Sequence, residues 1–112
     1  MRQLRTVIRS MVTPGGNVIA MDDSTIVWKP RDGKQRRVRI EARASVLLGL
    51  IGPNGLVDRV VVGDEYGGIN IILLNSMEII DRFVVSESKV RSLCSSSISG
   101  ESILVGCCLL YT

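Results

Sequence analysis

The sequence contains no histidine. That removes the side chain most often used as a general base or transition-metal ligand near neutral pH. It also excludes every Ser-His-Asp and Cys-His nucleophile. Aromatic residues are scarce, at 4%, so a core must be built from Val, Ile and Leu. Cysteine occurs at Cys94, Cys107 and Cys108 only, with no CxxC spacing. An odd count so placed argues against a disulfide framework and a zinc site. Cys94 has no activating neighbour, and a buried inert thiol is the expectation. Neither GxxxxGK[ST] nor GxGxxG is present, so no phosphate-cradling loop and no cofactor are expected. No apolar run approaches the roughly 20 residues of a spanning helix. The segment MRQLRTVIRSMVTPGG lacks the apolar centre of a signal peptide. Together these absences predict a soluble cytoplasmic protein, away from the membrane and in a reducing compartment.

What is present points to strands. Apolar residues make up 46% of the 112, with eleven glycines and three prolines. Val and Ile pack well on a pleated surface. Short apolar runs occur at Val7–Val12, Val18–Met21, Thr25–Trp28, Val38–Ala42, Val46–Ile51, Val60–Val62, Ile69–Leu74, Ile79–Val85, Val90–Cys94 and Ile103–Leu110. Turn residues separate them: Pro14–Asn17, Asp22–Ser24, Arg31–Lys34, Gly52–Gly55, Gly67-Gly68, Asn75-Ser76 and Ser95–Gly100. Such spacing predicts an all-β antiparallel domain. A short helix over Asn75–Phe83 is the one competing local reading.

The runs also repeat. Ile8-Arg9-Ser10-Met11-Val12 resembles Val90-Arg91-Ser92-Leu93-Cys94, and each precedes a turn and a second strand. Val46–Ile51, Gly52–Gly55 and Val60–Gly63 follow the same order. The repeat starts at Ile8, Val46 and Val90 divide residues 1–112, read as one domain, into approximate repeats 8–45, 46–89 and 90–112. Starts 38 and 44 residues apart match the roughly 40–45 residues of a four-stranded propeller blade. In the middle copy three strands are apolar throughout, as burial on both faces requires. The fourth mixes in Glu78, Asp81 and Arg82, as an outer strand near solvent would.

Two segments carry a family resemblance. Val62-Gly63-Asp64-Glu65-Tyr66-Gly67-Gly68-Ile69-Asn70-Ile71 leads from a small residue and an Asp through a Gly-containing turn into an apolar strand. Ala20–Trp28 is a looser version. Both resemble the segment joining the second and third strands in blades of the WD-repeat β-propeller family. Trp28 falls where that family carries its Trp; Lys29 stands where Asp is expected, and the Gly-His pair is absent. The resemblance implies propeller-like four-stranded blades and a protein-interaction role. A single β-sandwich or barrel is the alternative fold.

A closed propeller needs about four to eight blades, and the repeats supply fewer than three. The expectation is therefore a homo-oligomeric ring, with the chain itself as one partner. Arg2–Thr6 of one copy would complete the last blade of another. Charge favours such head-to-tail pairing: residues 1–55 carry ten Lys/Arg and four Asp/Glu, and residues 56–112 carry four and seven.

Candidate site residues are few. The acid pairs Asp22/Asp23 and Asp64/Glu65 fall in turns, where Asp ordinarily bonds its own backbone; catalysis or metal binding there is the lesser reading. The distinctive feature is basic. Lys29, Arg31, Lys34, Arg36, Arg37, Arg39 and Arg43 are seven of the fourteen Lys/Arg, within one hairpin. A strand through Arg37, Arg39 and Arg43 would set these three on one face. Such a stripe suits an acidic protein or a polyanion; it equally suits a charged edge strand that resists aggregation. With Trp28 alone nearby, base stacking has little support. The expected function is a non-catalytic interaction and assembly module with a protein partner. Nucleic-acid or polyanion binding through Lys29–Arg43 is the alternative, and an enzyme is the least favoured reading.

Overall fold

The computed structural model describes residues 6–85, 87–98 and 101–108. Ten strands follow one another: β1 (Val7–Thr13), β2 (Gly16–Met21), β3 (Thr25–Pro30), β4 (Arg36–Arg39), β5 (Ala44–Ile51), β6 (Val57–Asp64), β7 (Gly68–Leu73), β8 (Glu78–Val84), β9 (Ser92–Ile98) and β10 (Glu101–Cys108). They form two four-stranded antiparallel meanders, β1-β2-β3-β4 and β5-β6-β7-β8, and a β9–β10 hairpin. Among the described residues the fold is all-β, and no sheet closes into a barrel.

The two meanders repeat hydrogen bond for hydrogen bond. Asp22 N donates to Thr6 O as Glu65 N donates to Arg43 O. Ser24 N reaches Met21 O as Gly67 N reaches Asp64 O, and Ile40 N reaches Ser24 O as Val85 N reaches Gly67 O. Each first strand carries a bulge at the same place, between Val7 and Arg9 and between Ala44 and Val46. These pairings set Ile8 against Ser45, one residue before the start expected at Val46. Ser24 and Gly67 occupy one position and share one backbone, at φ 72° and 82°. Glycine adopts that conformation freely and serine at a cost. The repeat is thus held by backbone register even where the residues differ.

Packing explains the unbroken apolar runs. Val60, Val62, Ile72 and Leu74 face the first sheet, against Val18, Ala20, Ile26 and Trp28. Leu50, Val61 and Ile69 face the opposite way, with Val90 and Leu93. The second sheet is therefore buried on both faces, and a strand so placed has no solvent side to alternate toward. First strands lie beside one another: β5 contacts β1 on one side and β9 and β10 on the other. By contrast β8 is largely exposed along its length.

Two local expectations change. The alternative helix over Asn75–Phe83 does not form. Met77 N bonds Leu73 O, but Met77 then takes φ 53° and turns its side chain into the core. A right-handed helix cannot continue through that angle, and β8 begins at the next residue. Ser95-Ser96-Ser97, expected as a turn, lies within β9, where pairing with Leu104, Ile103 and Ser102 supplies the backbone partners. The expected strand-completing segment at residues 2–6 lies, but for Thr6, outside the described residues. Cys94, Cys107 and Cys108 are strand residues whose side chains also lie outside them.

Gly63 is required by the junction with the third sheet. A Cβ there would lie 2.7 Å from Val90 Cγ1 and 2.8 Å from both Val90 Cβ and Val46 Cγ1. Gly63→Ala should destabilise the fold by about 1–3 kcal/mol, the usual cost of overpacking, read as a lower urea midpoint. An unchanged midpoint would show that Val90 does not pack there.

Candidate functional site

The seven basic residues of the Lys29–Arg43 segment do not form one stripe. Antiparallel partners share a face, so the strand pairing assigns each position. Lys29 lies opposite Asn17, Arg37 opposite Val27 and Arg39 opposite Thr25, on the outer face of the first sheet. Arg36 lies opposite Trp28, on the face turned toward the second sheet. Arg31 and Lys34 belong to the exposed loop between β3 and β4, where Arg31 N bonds Gly15 O and its Nη1 reaches Pro14 O at 3.4 Å. Arg43 corrects the expectation most. Strand β4 ends at Arg39, and residues 40–43 cross to the second sheet as Ile40 and Ala42 are buried. Arg43 Nε there lies 3.8 Å from Glu65 Oε2. Three basic residues thus share the outer face, on or beside an edge strand of the kind charge keeps from pairing further.

That outer face is also apolar. Val7, Ile19, Met21 and Val27 line a shallow hollow of about 180 Å3, bordered by Lys29, Gln35 and Arg37. Val7 is 51% and Val12 80% exposed. Ile19 and Met21 are half-buried and Val27 is buried, and no described strand is packed on this face, in contrast with both faces of the second sheet.

Of the turn carboxylates, Asp64 and Asp23 each turn Oδ1 onto backbone donors of their own turn, while the buried Asp64 Oδ2 accepts no hydrogen bond. Asp64 is fully buried, and its Oδ1 accepts from Tyr66 N and Gly68 N, each at 2.8 Å. Its Oδ2 lies 3.8 Å from Arg82 Nη2, which in turn is 3.4 Å from Glu41. Gly68 is demanded by this arrangement, because a Cβ would collide with Asp64 Oδ2. In the first sheet Asp23 Oδ1 accepts from Thr25 N at 3.1 Å. Thr25 and Gly68 occupy the same repeat position, so one buried N–H is satisfied from two different sequence positions. Such use of Asp is what tight turns ordinarily require. Among the described residues no group of three or more Cys, Asp or Glu side chains is placed to hold a metal ion. Nor, among them, is any helix long and apolar enough to cross a membrane.

A second cationic group escaped the sequence reading. Arg9, Arg43, Lys89 and Arg91 come together with Ser45 where the three sheets meet. One signal was available: the matched segments Ile8-Arg9-Ser10 and Val90-Arg91-Ser92 place an arginine at the same point of two repeats.

Comparison with known proteins adds no identity. No family model, no curated protein and no solved structure matches the chain.

If Asp64 serves the turn, Asp64→Ala should cost about 3 kcal/mol by leaving two backbone donors without their acceptor. Asp64→Asn, which keeps one carbonyl oxygen, should cost less. Chemical denaturation of the two variants gives the comparison. Equal and negligible losses would reopen a functional role for the carboxylate.

Proposed function

We propose that this chain is a non-catalytic assembly module whose sheets stack like propeller blades, and that the open face of its first sheet takes a sheet from a second copy. The observation that carries this reading is the unequal covering of two otherwise matching sheets. The second sheet has a neighbour on each face. The first has one, and its other face presents Val7, Val12, Ile19 and Met21. Contiguous apolar surface of this kind marks an interaction site on a soluble protein.

Several features support a blade-like stack over a sandwich. The first strands of successive sheets are neighbours, and each meander runs outward from its own first strand. The molecule measures 51 × 42 × 20 Å. A six-residue strand spans about 20 Å at about 3.3 Å per residue, so the thin dimension matches the strand length. The second copy is favoured as occupant by charge. The open face is bordered by Lys29, Arg37 and Arg39, whereas the half of the chain from residue 56 carries the acidic excess, including exposed Glu78 and Asp81 on β8. Asp23 and Asp64 each use Oδ1 to close a turn, which supports a structural over a catalytic role for these two carboxylates.

Nucleic-acid or polyanion binding at the same basic residues is the alternative. The apolar centre of the outer face, and the dispersal of the seven cations over several surfaces, favour a protein partner.

Light scattering on the purified chain tests this reading. At about 0.1 mM, far above a micromolar dissociation constant, the mass should be at least twice 12.2 kDa. The double variant Val12→Lys/Ile19→Lys should run as a monomer with an unchanged strand-rich circular dichroism spectrum. A wild-type chain that remains at 12.2 kDa would overturn self-assembly.

A further inference from the structure

The cations gathered where the three sheets meet are not used by the assembly reading. Arg9 lies in β1, Arg43 just before β5, and Lys89 and Arg91 just before β9. Arg9, Arg43, Ser45, Glu65 and Lys89 help line a polar hollow of about 230 Å3. Arg9, Ser45, Lys89, Val90 and Arg91 line an adjoining one of about 170 Å3.

The scaffold beneath these side chains is tied together by short hydrogen bonds. Arg9 Nε donates to Ser45 O at 3.0 Å. The Ser45 hydroxyl donates to Val90 O at 2.6 Å and lies 3.1 Å from Gly63 O. Val90 N donates to Asp64 O at 3.0 Å. Val90 is thus held by both of its backbone groups and is fully buried, and the exposed Lys89 and Arg91 flank it. The chain therefore sets where these two cations emerge.

The charge they bring is poorly compensated. Glu65 is the acid within the hollow, at 3.8 Å from Arg43. Among the described residues Arg9, Lys89 and Arg91 make no ion pair. Four cations around one carboxylate leave a local surplus of three positive charges. Gathering like charges costs free energy unless an anion joins them.

We propose that this junction is a phosphate-binding site, taking a phosphate dianion that is free or carried on a phosphorylated side chain. A dianion offsets two of the three surplus charges, and a carboxylate only one. Arginine presents a planar fork of donors that matches phosphate oxygens two at a time; Arg9, with Nε on Ser45 O and Nη1 on Ile8 O, keeps Nη2 for such a contact. The hollows fall below the roughly 300–1,000 Å3 of pockets for whole small molecules, so a single tetrahedral group fits better than a nucleotide. No aromatic side chain lines either hollow, so a nucleobase would find nothing to stack on.

The site is separable from self-assembly, because it lies at the junction of the sheets and not on the open face. Amide NMR titration of the full chain at low salt tests it, with inorganic phosphate, a phosphoserine peptide and its unphosphorylated counterpart as probes. Saturable shifts are expected at Ser45, Glu65 and Val90 with the two phosphate probes alone. Tighter binding of the phosphopeptide assigns a carried phosphate; equal or tighter binding of inorganic phosphate assigns a free one. Lys89→Glu/Arg91→Glu should weaken binding about tenfold or more, and Arg31→Glu/Lys34→Glu in the exposed β3–β4 loop by less than about twofold, since screening confines the effect to nearby charges. Should the first double variant not fold, the exposed Lys89→Gln should still weaken binding by about threefold. The proposal is overturned by absence of saturable shifts at those amides, by equal loss in both double variants, or by unchanged binding in Lys89→Gln.

Discussion

The structure depends on the buried carboxylate of Asp64 and the turn it closes. Its side chain satisfies two backbone donors within the β6–β7 hairpin. Its backbone carbonyl accepts from Gly67 and from Val90, the residue that leads into β9. One residue therefore closes a hairpin and fixes where the third sheet begins. The neighbouring glycines follow from this. Gly68 leaves room for the carboxylate, and Gly63 leaves room for Val90. Arg82 reaches Asp64 from the next strand but one and is itself paired with Glu41 in the connection between sheets. A carboxylate so enclosed holds its position only while these donors remain in place, because an unpaired buried charge is costly.

Around that turn the two meanders solve one backbone problem with different residues. In the second sheet Asp64 supplies the acceptor and Gly67 the unusual φ. In the first, Met21 stands in the place of Asp64, Asp23 supplies the acceptor from two residues later, and Ser24 takes the left-handed backbone. The Asp23 carboxylate, accepting from Thr25 N, stabilises the turn in which Ser24 takes this costly conformation. The repeat is consequently plain in register and faint in residues. The two meanders match each other in backbone bonding where their residues differ.

This also explains what was legible in the sequence. Runs such as Val60-Val61-Val62 and Ile69–Leu74 announced strands buried on both sides, since neither shows polar alternation. The mixed character of Glu78–Val84 announced an outer strand. The start of β6 was hidden, because Val57, Asp58 and Arg59 look like loop residues; Arg59 is held there by Asp58 and by Ile51 O. The serines of β9 were hidden for the opposite reason: turn-forming residues accept a strand when a partner strand is supplied. The basic run misled because period-two alternation was extended past Arg39, where β4 ends. Alternation predicts a face only within a continuous strand, and the burial of Ile40 and Ala42 reflects packing at the crossing between sheets.

The phosphate site was hidden for a related reason. Its four cations come from three places separated by up to 82 residues, Arg9 to Arg91, and no local motif spans such distances. They meet because first strands of successive sheets lie side by side, so whatever starts each strand converges at one end of the stack. Convergence of this kind follows from the repeat, and the repeat places different residues there in each copy. Ile8 and Ser45 occupy one position, yet Ser45 alone carries a hydroxyl, and it ties the third sheet to the second. Sequence divergence at strand starts is thus the means by which equal sheets acquire unequal roles. Where backbone register alone maintains the repeat, the side chains at those starts are free to specialise in binding.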